Sequence, residues 1–189
     1  MKRNVAVFGG SFNPPHVAHV MAVVYVLQFE RVDNIVVVPC FVHPFAKQLA
    51  PFDDRYAMCE AAFGWIPGVS VSGVERELGG ESRTLRTLQK LAADHPDWSL
   101  RLVVGSDVLP ETPRWYGFDE IRKLAPVVVL PRPERESLAP GPRIFPDVSS
   151  SRIRTAVSAG DYDAVRAWVP PRVLELLQAR GLYPNSGGG

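Results

Sequence analysis

The sequence of 189 residues predicts an α/β fold with a doubly wound parallel sheet, and three observations carry that prediction. Short β-branched runs alternate with segments of helical spacing through the first two thirds of the chain. Most of these runs are apolar throughout rather than at every second position, as strands covered on both faces are. The carboxyl third carries helix-spaced segments and no further strand run, so an α-helical part follows the sheet.

Taken in order, "NVAVF" (4–8), "NIVVVP" (34–39), "VSVSGVE" (69–75), "LRLVVG" (100–105) and "PVVVLP" (126–131) read as the strands. Apolar residues at helical spacing mark 16–31, 53–64, 83–94 and 118–125 as the helices between them. The proline-rich, charged stretch "PRPERESLAPGPR" (131–143) cannot hold a helix and has little to bury, which predicts a mobile surface loop. Serines before an apolar-periodic run and a glycine after it predict a capped helix at 150–159. "DYDAVRAWV" and "PPRVLELLQARGLY" predict two more short helices, the second with proline at its start and glycine at its end. A single domain over 1–183 with a disordered tail over 184–189 is expected.

Composition limits the partners. A chain that is 46% hydrophobic and 22% charged is ordinary for a soluble domain, and a net charge of +1 gives no global field to draw it to nucleic acid or an anionic membrane. Any anion site is therefore local. Cys40 and Cys59 lack CxxC or zinc-ribbon spacing and read as buried thiols in a reducing compartment. The apolar stretch near the amino terminus is too short for a signal peptide, and "VMAVVYVL" (20–27) is too short to span a membrane. The expected location is the cytoplasm, and the sequence leaves homo-oligomerisation open.

Ligands of open parallel sheets bind beyond the carboxyl ends of the strands, where the winding reverses. Two predicted strands end there in glycine and polar residues, the first in "FGGSFNPPH" and the fourth in "VVGSD". Neither a G-x-G-x-x-G fingerprint nor a Walker A loop is present, yet Gly9 and Gly10 allow close backbone approach to a ligand. Pro14 and Pro15 hold the chain extended before a helix whose first turn carries His16, with His19 one turn on along the same face. Imidazoles at a helix amino terminus beside glycine amides suit a phosphate. As a zinc pair they lack a nearby third ligand. "SSSRIR" supplies a second such end, with Ser149 or Ser150 as cap and Arg152 and Arg154 adding positive charge. Asp107 stands where a carboxylate could accept from ribose hydroxyls, or serve only as a helix cap. Trp115 and Tyr116 could stack on a ring, or belong to the core.

"GGSFNPPHVAH" resembles the G-[GT]-F-[DN]-P-x-H-x-G-H motif of the nucleotidyltransferase superfamily, and "VSSSRIR" resembles its I-S-S-T-x-I-R motif. The intervening "VERELGGESRTLRTL", "VVGSDVLPETPRWYGFDEI" and "LPRP" are similar in order and spacing to bacterial nicotinate mononucleotide adenylyltransferases, a likeness covering residues 4–183. The resemblance implies a Rossmann-like nucleotidyltransferase fold and adenylyl transfer from ATP to nicotinate mononucleotide, giving deamido-NAD and pyrophosphate as a step of NAD biosynthesis. It implies Mg2+ held through the ATP phosphates, with no metal site of the protein's own. By residue, it implies that His16 and His19 bind the triphosphate and stabilise charge on the reacting phosphoryl group. Gly9, Gly10, Ser11 and Phe12 would bring backbone against phosphate and ribose, Ser149 and Arg154 would hold the β- and γ-phosphates, and Gly105 and Asp107 would take the ribose. Lys47 would contact phosphate from the loop after the second strand. On the acceptor side, Thr84 would help bind the nicotinate carboxylate, Trp115 would stack on the pyridine, the amide of Tyr116 would assist, and Arg132 would meet the acceptor phosphate.

The family pattern is departed from in three places. Ala18 stands between the histidines in place of glycine, and Ser151 and Arg152 occupy the T-x positions. The loop after the second strand reads "VHPFAK" where the family often has P-P-H-K, leaving His43 and Lys47 as rivals for one phosphate contact. Alternatives to the main reading are an adenylyltransferase for nicotinamide mononucleotide or phosphopantetheine, and a nucleotide-binding regulator without turnover.

Overall fold

The computed structural model describes residues 2–43, 49–106, 108–130 and 145–185. Five strands, β1 (Arg3–Gly10), β2 (Asn34–Pro39), β3 (Val69–Val71), β4 (Trp98–Gly105) and β5 (Val127–Leu130), form one sheet in the order β3-β2-β1-β4-β5. Every pairing is parallel. The winding runs outward from β1 through β2 to β3, then restarts on the other side of β1 with β4 and β5. The reversal predicted from the two glycine endings is therefore the β1–β4 boundary.

The apolar strands are covered on both faces because successive side chains point to opposite sides. Ala6, Phe8, Ile35, Val37 and Val103 face one core with α1 (Val17–Phe29), α2 (Phe52–Phe63), α6 (Ser150–Ser158) and α7 (Pro171–Ala179). Val5, Val7, Val36, Leu100 and Leu102 face the other with α3 (Val74–Leu78), α4 (Thr84–Asp94) and α5 (Phe118–Leu124). Leu88 and Ile121, with no exposed surface in the second core, contribute about 1.5–3 kcal/mol each by burial. Among the described residues no helix is long and apolar enough to cross a membrane. Both cysteines are buried thiols, and burial pushes the Cys59 thiol well above its usual range.

The structure corrects three local expectations. The strand expected over 69–75 ends at Val71, because Ser72 Oγ accepts from Val74 N–H at 3.2 Å and Gly73 starts α3. Glu75 of that helix then accepts from Phe41 N–H at 3.0 Å and Thr87 Oγ1 at 3.0 Å, so tertiary bonds override local β propensity. "DYDAVRAWV" forms only a 3-10 turn, Asp163–Val165, and a further 3-10 helix covers Leu109–Arg114. The helix expected from residue 16 starts at Val17 with His16 as its cap. The expected surface loop over 131–143 lies outside the described residues, as does the tail from residue 186.

The junction of α4 and α5 needs Gly117. Its φ is +68°, and a Cβ there would lie 2.5 Å from Leu85 Cδ2. Gly117→Ala should cost about 1–3 kcal/mol in denaturant unfolding, from overpacking and left-handed backbone together. A stability equal to that of the parent would refute the close approach.

Candidate active site

A crevice opens where β1 and β4 cease to pair. Their ladder runs from Arg3↔Trp98 to Val7↔Leu102 and stops, although β1 continues beside β2 to Gly10↔Pro39 and β4 beside β5 to Gly105↔Leu130. The same register would set Gly10 opposite Gly105, so both glycine endings stand at one level on either side of the gap. A Cβ on Gly9 would meet nothing within 4 Å, whereas one on Gly10 would press on the Phe12 ring at 3.1 Å. Gly10 thus serves the packing of Phe12, and Gly9 borders open space.

The first loop is shaped by its carbonyls. Gly10 O accepts from Cys40 N–H at 2.9 Å and Ser11 O from Arg55 at 3.1 Å. Across a trans peptide the N–H points opposite to the C=O, so the Ser11 and Phe12 amides are aimed away from the β2 loop. Phe12 takes φ +44° and is 2% exposed, wedged edge-on to Phe8 (5.5 Å) and Phe63 (5.7 Å). Its ring also meets that of His19 at 5.1 Å. That aromatic packing holds a residue other than glycine in the left-handed region. The Asn13–Pro14 bond is cis.

His16 and His19 form one unit. The rings stack with centroids 3.8 Å apart, and His16 is only 2% exposed. His16 backbone N–H donates to His19 Nδ1 at 3.2 Å, and His19 N–H donates to His16 O at 2.9 Å. Accepting at Nδ1 sets the tautomer of a neutral His19 ring, with its proton on Nε2. Ala18 is buried on the core side of α1, where its methyl group packs with the first core.

The second predicted anion end is fastened to the first. Ser149 caps α6, accepting from Arg152 N–H at 3.4 Å. Ser150 Oγ donates to Pro14 O at 2.8 Å, and Arg154 donates to Asn13 O at 2.8 Å and to Ser151 Oγ at 3.4 Å. Of the two arginines only Arg154 reaches the first loop. Arg152, at the same helix start, donates to Asp147 O at 3.1 Å and lies over the Trp168 ring at 4.7 Å.

Of the residues expected to bind the acceptor, Thr84 is the first residue of α4, and the contact of Gly117 with Leu85 brings the Trp115–Tyr116 segment beside that end. Trp115 is half-buried against the second core and edge-on to Phe118 at 6.2 Å, while Tyr116 is 66% exposed. Lys47, Asp107 and Arg132 lie outside the described residues.

Three residues at the site escaped the sequence reading. Arg55 on α2, 1% exposed, donates to four backbone carbonyls: Ser11 (3.1 Å), Cys40 (2.6 Å), Phe41 (3.3 Å) and Ala50 (2.9 Å). Burial lowers its pKa from the ordinary arginine value. Asn13, 3% exposed, accepts at Oδ1 from Ala50 N–H (3.0 Å) and from Tyr183 O–H (2.7 Å). Burial pushes the Tyr183 phenol above its usual range. An arginine directly after two acidic residues in the first turn of a helix carries no local signal of such a role.

Comparison with known proteins identifies the family. The cytidylyltransferase-like family model matches residues 7–156. A protein of Anaeromyxobacter dehalogenans (strain 2CP-C) named "Probable nicotinate-nucleotide adenylyltransferase" is 45% identical over 184 residues, covering 96% of this chain and 97% of its own. One of the same name from Myxococcus xanthus (strain DK1622) is 40% identical over 186 residues, covering 95% and 94%. The structure of Plasmodium falciparum nicotinic acid mononucleotide adenylyltransferase complexed with NaAD matches with a TM-score of 0.76 at 19% identity, over 96% of this chain and 97% of that one, and shares the fold. The glycine loop, the paired histidines and the Ser/Arg helix start thus sit in a chain that belongs to the cytidylyltransferase-like family and, within it, to the nicotinate-nucleotide adenylyltransferases.

Proposed function

We propose that the protein transfers the adenylyl group of ATP to nicotinate mononucleotide, forming deamido-NAD and pyrophosphate in NAD biosynthesis. The observation that carries this reading is the bonding of Arg154 and Ser150 to the histidine loop, which gathers two cationic or amide-rich helix ends at one crevice. A polyphosphate needs donors at several points, and this arrangement supplies them.

In the reaction an oxygen of the acceptor's 5′-phosphate bonds to the α-phosphorus while the bond from that phosphorus to the α,β-bridging oxygen breaks, and pyrophosphate leaves with the electron pair. The nucleophile is already an anion, so no general base is required. The protein's work is alignment and charge stabilisation. His19 Nε2–H and the His16 ring serve the reacting phosphoryl group; the Ser11 and Phe12 amides with Gly9 and Gly10 line the nucleotide. Ser149 and Arg154 hold the outer phosphates, and Gly105 and Asp107 the ribose. Thr84, Trp115 and Tyr116 form the nicotinate side, and Lys47 and Arg132 are assigned the phosphate contacts of their loops. Mg2+ enters as part of the ATP substrate and shields phosphate charge; imidazole, guanidinium, amide and hydroxyl donors suit the phosphate oxygens. The reading sets the protein in the cytoplasm with these small-molecule substrates.

Pyrophosphate release measured with ATP and, in turn, nicotinate mononucleotide, nicotinamide mononucleotide and phosphopantetheine should be fastest with the first. Preference for phosphopantetheine would sink the assignment. His19→Ala should lower the rate on the order of 10²- to 10³-fold by removing one phosphate-stabilising donor. It also removes a helix cap worth about 1 kcal/mol, so rates are compared per folded molecule. Equal rates would refute the catalytic assignment. Arg154→Gln removes a charge-assisted contact and should raise KM for ATP about 10-fold or more while leaving KM for the acceptor nearly unchanged. Separate titration of the two substrates checks this, and an equal effect on both would count against it.

A further inference from the structure

We infer that Arg55 is a positioning residue for the transfer, acting through the Ser11–Phe12 peptide, and that Tyr183 supports it through Asn13. This rests on the adenylyl-transfer reading above. Arg55 reaches no reacting atom through its known bonds; its four acceptors are main-chain carbonyls. Burying a guanidinium is costly, and neutral carbonyls repay less of that cost than a carboxylate would. An apolar side chain in its place would leave these carbonyls without their donor, so the guanidinium stabilises the fold as well. What the planar fork adds is a fixed set of directions, shared among three separate stretches of chain.

Those stretches are the first loop at Ser11, the end of the β2 run at Cys40 and Phe41, and Ala50 just before α2. Holding Ser11 O inward turns the Phe12 N–H to the opposite side of the same peptide. Cys40 N–H on Gly10 O does the same for the preceding peptide. Ala50 N–H and Tyr183 O–H both end on Asn13 Oδ1, so the far foot of the β2 loop and the carboxyl end of the chain grip the turn between Phe12 and His16. The amides that face the nucleotide are thereby held by bonds made behind them. In-line displacement depends steeply on alignment, whereas phosphate binding tolerates small shifts. Loosening the grip should therefore reduce turnover before it reduces affinity.

The test compares the steady-state kinetics of Arg55→Lys, Arg55→Ala and Tyr183→Phe with the parent. ATP and acceptor are varied separately, and rates are expressed per folded molecule from far-UV circular dichroism. Arg55→Lys keeps the charge and loses the fork; its kcat should fall about 10- to 100-fold with both KM values within about threefold of the parent's. Arg55→Ala should lose at least as much. Parental kcat in Arg55→Lys overturns the role, and so does a loss carried by KM alone. If neither Arg55 variant folds, Tyr183→Phe decides, since it removes one hydroxyl: lower kcat at unchanged KM upholds the role, and parental kcat overturns it. The parent is assayed first with nicotinate mononucleotide. Activity on a different acceptor corrects the acceptor alone, and the variants are then compared on that one. A parent that turns over none removes the reaction and this role together.

Discussion

The parting of β1 from β4 beyond Val7↔Leu102 is the constraint on which the site depends. Parallel strands send the loops that follow them to one end of the sheet, where adjacent loops usually crowd each other. Here the loop after β1 leads to α1 on one face, and the segment after β4 leads toward α5 on the other. Nothing draws the two strand ends together, and the last residues of each keep their outer neighbours, β2 and β5, instead. The gap is a consequence of winding order, and Gly9 at its rim borders open space.

A gap alone would bind anions poorly. Its chemistry comes from the way distant segments close on the first loop, taking up its carbonyls one after another. Gly10 O goes to Cys40, Ser11 O to Arg55, Asn13 O to Arg154 and Pro14 O to Ser150. A loop whose carbonyls are engaged by the protein presents a less negative edge to its ligand. The same bonds tie α2 and α6 to the start of α1, so the positive ends of the site and the scaffold share their fastenings. His16 and His19 complete the surface, each bonded to the other's backbone or ring.

Much of this was legible in the sequence because it depends on near neighbours. Apolar β-branched runs marked the five strands, proline and glycine marked the ends of α7, and Ser149 capped α6 at the position its serines indicated. The paired histidines were visible as one helix face. The misread segment at 69–75 has strand-forming residues, but Glu75 finds partners on Phe41 and Thr87 that only the folded chain supplies. Likewise nothing near Arg152 and Arg154 says which of them turns inward. The answer lies in Asp147 and Trp168 on one side and Asn13 on the other.

By itself, then, the sequence determined the fold class, the order of elements and the kinds of groups that end each strand, since periodicity, capping and turn chemistry act over a few residues. Its motifs also carried the family. Tertiary structure alone decided which groups meet: Arg55 with Ser11, Tyr183 with Asn13, Arg154 with the loop before His16. Those partners lie 44, 170 and 141 positions apart. No local pattern encodes such a bond, because its geometry is set by how the helices pack on the sheet.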